Sequence, residues 1–262
     1  MTSGSQRSSQ EQFGRTAARY TTSKTHSGND SLVDLQGFVA AFGTRFRTAV
    51  DIGTGPGFTA FAIAPYADRV IATDVTPQML EQVRGLREQR GAPQTQMALV
   101  AAEALPFADD SIDLVTCRTA AHHFVDLPGW LAEVERVLSP GGLFLVADTC
   151  APEDSAIAEW MQYIEVTRDT SHVRNLSPSE WRDAVAATGL TVTDSAMSYV
   201  YLEYPDWAER AGMTQEAMES IKNDMLGAAP SAKQAFGIES RDDGTIDFHW
   251  DVVVVSAVKN RR

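Results

Sequence analysis

A glycine-rich segment after the first apolar run restricts the fold of this chain more than any other feature. The segment reads Val50-Asp51-Ile52-Gly53-Thr54-Gly55-Pro56-Gly57. Glycine at alternate positions lets the backbone turn tightly after a strand, and it lets a ligand approach without meeting a Cβ atom. A helix that starts at such a turn points its first N–H groups at the ligand. The segment therefore predicts a strand–loop–helix unit with a binding site at the loop.

Short apolar runs alternate with helix-like segments along the chain, which predicts an α/β fold with a mostly parallel sheet. Strands are expected at Ala49–Ile52, Val70–Thr73, Gln96–Val100, Ile112–Cys117, Leu143–Asp148, Leu190–Tyr201 and Trp250–Val258. Helix starts are expected at Thr76-Pro77, near Pro128 and at the capping box Ser177-Pro178-Ser179-Glu180. The sequence Ser139-Pro140-Gly141-Gly142 predicts a turn before the fifth strand. The Ser/Gln-rich stretch before Glu11 is expected to be a loose terminus.

An acid at the end of the second strand limits which cofactors the loop can bind. Asp74 can accept hydrogen bonds from both ribose hydroxyls of an adenosine group. A nicotinamide dehydrogenase and a methyltransferase that binds S-adenosylmethionine both fit this feature. The dinucleotide fingerprint is G-x-G-x-x-G, whereas the spacing here is G-x-G-x-G. Asp51, two residues before the first glycine, would repel a pyrophosphate and attract the α-ammonium of S-adenosylmethionine, so the methyltransferase is favoured.

A set of motifs between residues 48 and 148 resembles the class I S-adenosylmethionine-dependent methyltransferases, in the ubiquinone/menaquinone-biosynthesis-like (methyltransferase type 11) branch. The matching segments are Asp51-x-Gly53-x-Gly55-x-Gly57, Asp74, Ala102-Glu103-Ala104-Leu105-Pro106-Phe107, Asp113-Leu114-Val115 and Leu138-Ser139-Pro140-Gly141-Gly142. Further segments are similar to the bacterial YcgJ-type methyltransferases: Cys117-Arg118-x-Ala120-Ala121-His122-His123-Phe124, Ala151-Pro152-Glu153-Asp154, Ser171-His172-Val173-Arg174 and Glu180-Trp181. One departure is Ala101, where many relatives have an acid, so the contact to the adenine amino group falls to Glu103 or to the backbone.

The resemblance implies a Rossmann-like, seven-stranded, mostly parallel sheet whose last strand is antiparallel. Residues 1–46 would form an N-terminal tail and a cofactor-capping segment. Residues 47–262 would form the methyltransferase domain, with helical lid inserts near 151–177 and 203–245. The residues expected to bind S-adenosylmethionine are Asp51, Gly53, Thr54, Gly55, Gly57, Asp74, Val75, Met79, Ala102, Glu103, Arg118 and Tyr20.

The candidate catalytic residues are His123, His122 and Asp148, which follow the fourth strand or end the fifth, at the sheet edge where open α/β folds bind ligands. A histidine there can accept a proton from a hydroxyl or an activated carbon, but each of the three can equally have a structural role. His172 and Arg174 are considered as a basic pair for an acidic or phenolic acceptor, and Lys24 and His26 as residues that close over the cofactor. Aromatic residues that can line an acceptor pocket are Trp160, Tyr163, Tyr199, Tyr201, Tyr204 and Trp207.

Composition excludes several other functions. The net charge of -13 disfavours nucleic-acid binding, and no window approaches the ~18 apolar residues of a membrane span. No secretory signal is expected, and two cysteines are too few for a disulfide framework, so a cytoplasmic location is predicted. A metal site is not expected, because His122 and His123 are the only closely spaced ligand pair.

These features predict methyl transfer from S-adenosylmethionine to carbon or oxygen of a small organic molecule. A non-catalytic S-adenosylmethionine-binding regulatory protein and, less favoured, an NAD(P)-dependent oxidoreductase are the alternatives. An enzyme that methylates RNA or protein is disfavoured by the acidic charge balance. A homodimer is considered for the assembly.

Overall fold

The computed structural model describes residues 4–21 and 30–261. The strands are β1 (Phe46–Ile52), β2 (Ala67–Asp74), β3 (Gln96–Leu99), β4 (Ile112–Arg118), β5 (Leu138–Thr149), β6 (Thr191–Glu203), β7 (Glu239–Ser240) and β8 (Ile246–Val258). The α-helices are α1 (Gly4–Thr21), α2 (Asp30–Ala41), α3 (Phe58–Ile63), α4 (Pro77–Leu86), α5 (Leu127–Val137), α6 (Ser155–Arg168), α7 (Pro178–Ala186), α8 (Tyr204–Arg210), α9 (Gln215–Leu226) and α10 (Pro230–Phe236). Two 3₁₀ turns lie at Ala64–Tyr66 and Ala121–His123.

Seven strands lie side by side in the order β3-β2-β1-β4-β5-β8-β6, and the two-residue strand β7 pairs with β8. The pairs between β1 and β2, β1 and β4, β2 and β3, and β4 and β5 are parallel. Strand β8 is antiparallel to both β5 and β6. The predicted α/β sheet with an antiparallel last strand is therefore confirmed. Because β1, β2, β4 and β5 are parallel, their carboxyl ends meet at one edge of the sheet.

The central strands are covered on both faces, so neighbouring residues belong to different cores. Ala49 and Leu114 face a core that includes α2 and α3, whereas Val50 and Val115 face a core that includes α5 and α7. Burial on both faces explains why these strands are apolar without alternation. No helix among the described residues has the length and apolarity to cross a membrane.

The Ser/Gln-rich terminus is helical, which corrects the expectation of a loose tail. The Gln10 side chain donates to the Val75 carbonyl oxygen at 2.8 Å, and the Gln12 side chain donates to that of Ala211 at 2.7 Å. These contacts hold α1 between the end of β2 and the end of α8. Tertiary contacts of this kind override a weak local propensity.

Most element boundaries agree with the sequence, and the start of β5 is the main exception. The strand begins at Leu138, within the predicted turn, and its register against β4 shifts between Ile112 and Leu114. Gly141 there has a φ of 82°, which suits a glycine in an irregular strand. The predicted capping box at α7 is confirmed by hydrogen bonds in both directions between Ser177 and Glu180. Both predicted inserts are helical, one containing α6 and the other α8 to α10.

Candidate functional site

A cavity of about 960 Å³, a volume that includes its open mouth, lies at the carboxyl edge of β1, β2 and β4. Helix α1 forms one wall through Ser9, Phe13 and Tyr20. The predicted site residues that line the cavity are Tyr20, Gly53, Thr54, Gly55, Asp74, Val75, Met79, Ala102, Glu103, Arg118 and His123. The structure thus brings most of the predicted residues together, although they come from separate parts of the chain.

The three glycines of the loop have different roles. A Cβ atom added at Gly55 would meet no atom within 4 Å, so it would point into open space at the cavity wall. A Cβ at Gly53 would lie 2.6 Å from the Cβ of Ala120, and one at Gly57 would lie 2.8 Å from the Phe61 ring. Gly53 and Gly57 therefore permit close packing, whereas Gly55 keeps ligand space open. Gly57 does not line the cavity, so its part in cofactor binding stays a prediction.

Asp74 is held by backbone donors at the end of β2. Its Oδ2 accepts from the Gly55 N–H at 2.9 Å, and its Oδ1 accepts from the Thr76 N–H at 2.8 Å. Burial raises the pKa of this carboxyl, and these two N–H donors oppose the rise. Each oxygen has a second lone pair, so a fixed carboxylate can still accept from ligand hydroxyls in the cavity.

Asp51 lies behind the loop and does not line the cavity. It is buried, and its oxygens accept from the hydroxyls of Thr54 at 2.6 Å and Thr116 at 2.7 Å. Strand pairing explains the second contact, because Asp51 is opposite Thr116 in the register of β1 and β4. Burial raises its pKa to about 6, although the two hydroxyls oppose the rise. Asp51 therefore orders the loop through Thr54, and its contact with the cofactor stays a prediction.

The cavity fits S-adenosylmethionine by the chemistry of its walls. Asp74 offers acceptors for ribose hydroxyls, and Val75, Met79 and Ala102 offer apolar surface for a base. Arg118, whose Nε donates to the Thr59 hydroxyl at 2.9 Å, places a positive charge at the wall for a carboxylate. Burial lowers the pKa of Arg118 to about 10, which leaves it charged at neutral pH.

His122, which is partly buried, pairs with the buried Asp148 next to the cavity. The His122 Nδ1 lies 2.7 Å from one Asp148 oxygen, and the His122 backbone N–H donates to the other at 2.8 Å. Burial lowers the pKa of His122, but the charge and hydrogen bond of Asp148 outweigh it, so the pKa is raised. Both lie at the predicted edge of the sheet but do not line the cavity, and a catalytic role for them stays a prediction.

His123 is the predicted catalytic residue that reaches the cavity. Its ring lies 4.2 Å from the His122 ring and 5.0 Å from the Phe13 ring, measured between centroids. Burial and the positive charge of His122 lower the pKa of His123 to about 4. At neutral pH His123 is therefore an uncharged imidazole that can accept a proton.

His172 and Arg174 do not form a basic pair at a pocket, which corrects that hypothesis. His172 is buried and stacks on His122 with 5.2 Å between ring centroids. Burial, together with the charge of His122, lowers its pKa to about 2, so it is neutral. Arg174 is exposed and pairs with Glu180 at 2.5 Å.

The six candidate pocket aromatics do not line the cavity. Trp207 and Trp160 instead pack the insert helices onto Trp250 of β8, and Tyr199 and Tyr201 are exposed on β6. The rings that line the cavity besides Tyr20 and His123 belong to Phe13, Phe58 and Phe124. Sequence reasoning missed these three, although Phe124 directly follows the histidine pair.

Two candidates, Lys24 and His26, lie outside the described residues. Within residues 4–21 and 30–261 there is no group of three His, Cys, Asp or Glu side chains arranged to hold a metal ion.

Comparisons with known proteins agree with this site. Residues 50–146 match a family model described as a methyltransferase domain. Over 211 residues the chain is 35% identical to the uncharacterized methyltransferase YcgJ of Bacillus subtilis, covering 80% of this chain and 83% of YcgJ. Over 207 residues it is 32% identical to the uncharacterized protein YafE of Escherichia coli, covering 79% of this chain and 98% of YafE.

Solved structures give the same result. The crystal structure of B. subtilis YcgJ matches with a TM-score of 0.81 at 33% identity, covering 88% of this chain and 99% of YcgJ. Geranyl diphosphate C-methyltransferase of Streptomyces coelicolor, solved with S-adenosyl-L-homocysteine, shares the fold with a TM-score of 0.58 at 17% identity, covering 87% of this chain and 79% of that enzyme. The chain therefore belongs to the class I S-adenosylmethionine-dependent methyltransferases, in the branch that contains YcgJ.

Proposed function

We propose that this methyltransferase acts on carbon or oxygen of a small organic molecule and that His123 removes the acceptor proton. The observation that supports this is the position of His123, a partly buried, neutral imidazole at the wall of the cofactor cavity. When bound, S-adenosylmethionine supplies an electrophilic methyl group, which the acceptor atom takes while the carbon–sulfur bond breaks toward sulfur. The acceptor proton passes to the free ring nitrogen of His123.

The charges around His123 keep its ring unprotonated before reaction. Asp148 raises the pKa of His122 and so favours the charged form of His122, and a positive charge on His122 opposes protonation of His123. A general base is worth roughly 10²–10⁴ in rate when the acceptor loses its proton in the transition state. Placement of the two reactants by the cavity can supply about 7–11 kcal/mol of the barrier.

The position of α1 at the cavity wall supports the proposal that the acceptor is a small molecule. Ser9, Phe13 and Tyr20 line the same cavity as the glycine loop, so this helix caps the cofactor and narrows the way to His123. The net charge of -13 also favours a small molecule over RNA. We further propose a cytoplasmic location, because both Cys117 and Cys150 are buried free thiols. A homodimer stays a prediction, to be checked by sedimentation.

Calorimetric titration with S-adenosylmethionine and, separately, with NADH tests the cofactor. An acceptor screen with methyl-labelled S-adenosylmethionine then tests the reaction. The variant His123→Asn should lose roughly 100-fold or more in kcat while its affinity for S-adenosylmethionine is unchanged. His249→Asn is the matched control, because His249 lies on β8 and not at the cavity wall.

Three outcomes would contradict the proposal. Full activity of His123→Asn would refute the role of His123. Tight binding of S-adenosylmethionine with no transfer to any acceptor, and no effect of His123→Asn on function, would indicate a regulatory protein. Binding of NADH alone would require the glycine loop to be reinterpreted as a dinucleotide site.

A further inference from the structure

The hydrogen bonds on one side of the His123 ring determine where its proton lies. Nδ1 is 3.1 Å from the carbonyl oxygen of Ser171 and 3.2 Å from its hydroxyl oxygen. A carbonyl oxygen can only accept. The Ser171 hydroxyl donates its single proton to Oδ1 of Asp169 at 2.6 Å, so toward His123 the hydroxyl oxygen can only accept as well. Both neighbours therefore require an N–H at Nδ1.

We propose that Asp169 is a positioning residue that acts through the Ser171 hydroxyl. By holding that proton, it fixes His123 as the tautomer with the proton on Nδ1 and the lone pair on Nε2. This inference rests on the proposed function, in which His123 accepts the acceptor proton. Neither Asp169 nor Ser171 lines the cavity, so Asp169 acts on the reaction only through Ser171 and His123.

The backbone around Asp169 keeps this arrangement rigid. Asp169 follows the last residue of α6, and its N–H donates to the Glu165 carbonyl at 2.9 Å. Its Oδ1 also accepts from the Ser171 N–H at 2.8 Å, and the His172 N–H donates to its carbonyl at 3.0 Å. Asp169 and Ser171 are both buried, so water does not compete for the Ser171 hydroxyl proton.

Asp169 also supports the charged product of proton transfer. When Nε2 takes the acceptor proton, His123 becomes an imidazolium with N–H groups on both sides. The negative charge of Asp169 favours that cation, and the proton on Nδ1 stays on His123 and hydrogen-bonded to Ser171 throughout. One proton leaves the acceptor, one proton arrives at His123, and the carboxylate stays ionised.

Nitrogen NMR of the full chain, labelled with ¹⁵N-histidine and saturated with S-adenosylmethionine, reports the tautomer directly. The His123 signals are identified by their loss in His123→Asn. The wild-type protein should show the proton on Nδ1. In Asp169→Ala the Ser171 hydroxyl is free to donate to Nδ1, so the ratio of the Nε2–H form to the Nδ1–H form should rise about fivefold.

Two further variants separate positioning from a general structural effect. Asp169→Asn retains a side-chain oxygen for the Ser171 hydroxyl and should keep the wild-type tautomer. The double variant Asp169→Ala with Ser171→Ala removes the competing donor and leaves only the Ser171 carbonyl, so the Nδ1–H form should return. If Asp169 had only a structural role, removal of the Ser171 hydroxyl as well would not restore the Nδ1–H form of His123.

Asp154→Ala is the matched control at the other end of α6. The Asp154 side chain accepts from the N–H groups of Ala156 and Ile157, so its loss should lower the Tm by about 2–4 °C without changing the His123 tautomer. If Asp154→Ala changes the tautomer as much as Asp169→Ala does, the inference is refuted.

The NMR result is readable without a known acceptor, which separates this inference from the proposed function. An unchanged tautomer in Asp169→Ala, or no recovery in the double variant, would refute the role of Asp169 even if His123→Asn is inactive. The expected tautomer shifts together with full activity of His123→Asn would instead refute the proposed function, and the positioning role with it.

Discussion

The substitution Gly55→Ala is expected to separate cofactor binding from folding. Gly55 has a φ of 52°, and an added Cβ atom would meet no protein atom within 4 Å. The cost to stability is then limited to the left-handed backbone conformation, which costs an L-residue about 1–2 kcal/mol. For a chain of this size that corresponds to a fall in Tm of roughly 2–8 °C.

Binding of S-adenosylmethionine should fall much further than stability. The new methyl group would occupy the open space at the cavity wall, so a bound ligand must displace the loop. That displacement threatens the 2.9 Å hydrogen bond from the Gly55 N–H to Asp74. The loss of a hydrogen bond to a charged group costs about 1.5–3 kcal/mol, which is roughly a 10- to 150-fold increase in Kd.

Thermal melting and calorimetric titration of three variants test this reasoning. Gly91→Ala is the matched control, because Gly91 has a φ of 68° and open space around it but lies away from the cavity wall. It should melt like Gly55→Ala and bind like the wild type. Gly53→Ala should fold poorly, because its Cβ would lie 2.6 Å from that of Ala120. Normal affinity in Gly55→Ala, or equal losses in Gly91→Ala, would refute the assignment of the open space to the cofactor.

Two other substitutions test the electrostatics. Asp74→Asn should raise the Kd for S-adenosylmethionine about tenfold in calorimetry, since charged acceptors bind hydroxyls more strongly, whereas Asp68→Asn, an exposed acid on the same strand, should not. In urea titrations the stability contributed by unprotonated His172 is complete above about pH 6.5 and is lost as the pH falls toward its folded pKa of about 2. His172→Phe should therefore reduce the slope of stability against pH between 6 and 4 by about 1.4 kcal/mol per pH unit; an unchanged slope would show that His172 is protonated in the folded protein.

The cofactor half of the site was predictable because it is encoded locally. Gly55 lies in the loop that follows β1, and Asp74 is the last residue of β2. In a parallel sheet those two positions meet at one edge, whatever the rest of the chain does. The positions of Gly55 and Asp74 in the sequence therefore predict that they lie close together in the structure. The partners of Asp51 were not predictable in this way, because its side chain accepts from the Thr116 hydroxyl, a neighbour that depends on strand pairing.

The walls contributed by helices were not predictable in the same way. The α1 segment has the composition of a loose terminus, and its helix is held by hydrogen bonds to residues 65 and 199 positions away. The aromatic residues of the inserts can, from the sequence, line a pocket or pack the inserts onto the sheet, and in the structure rings such as Trp207 pack on Phe248 and Trp250. Burial of a large ring against a neighbouring core contributes more to stability than exposure in a cavity, and the sequence pattern is the same for both.

The adjacent residues His122 and His123 show most clearly where function is encoded. They are chemically identical neighbours with different pKa values. Asp148 raises the pKa of His122, whereas burial and the positive charge of His122 lower the pKa of His123. Asp148 belongs to β5 and Ser171 follows α6, so residues 26 and 48 positions away act on the two rings. The difference between an ion-paired histidine and a histidine that can act as a base is therefore encoded outside the histidine pair. Exchange of the pair for other residues tests only half of that arrangement, whereas substitutions at Asp148 and at Asp169 test what makes the two histidines different.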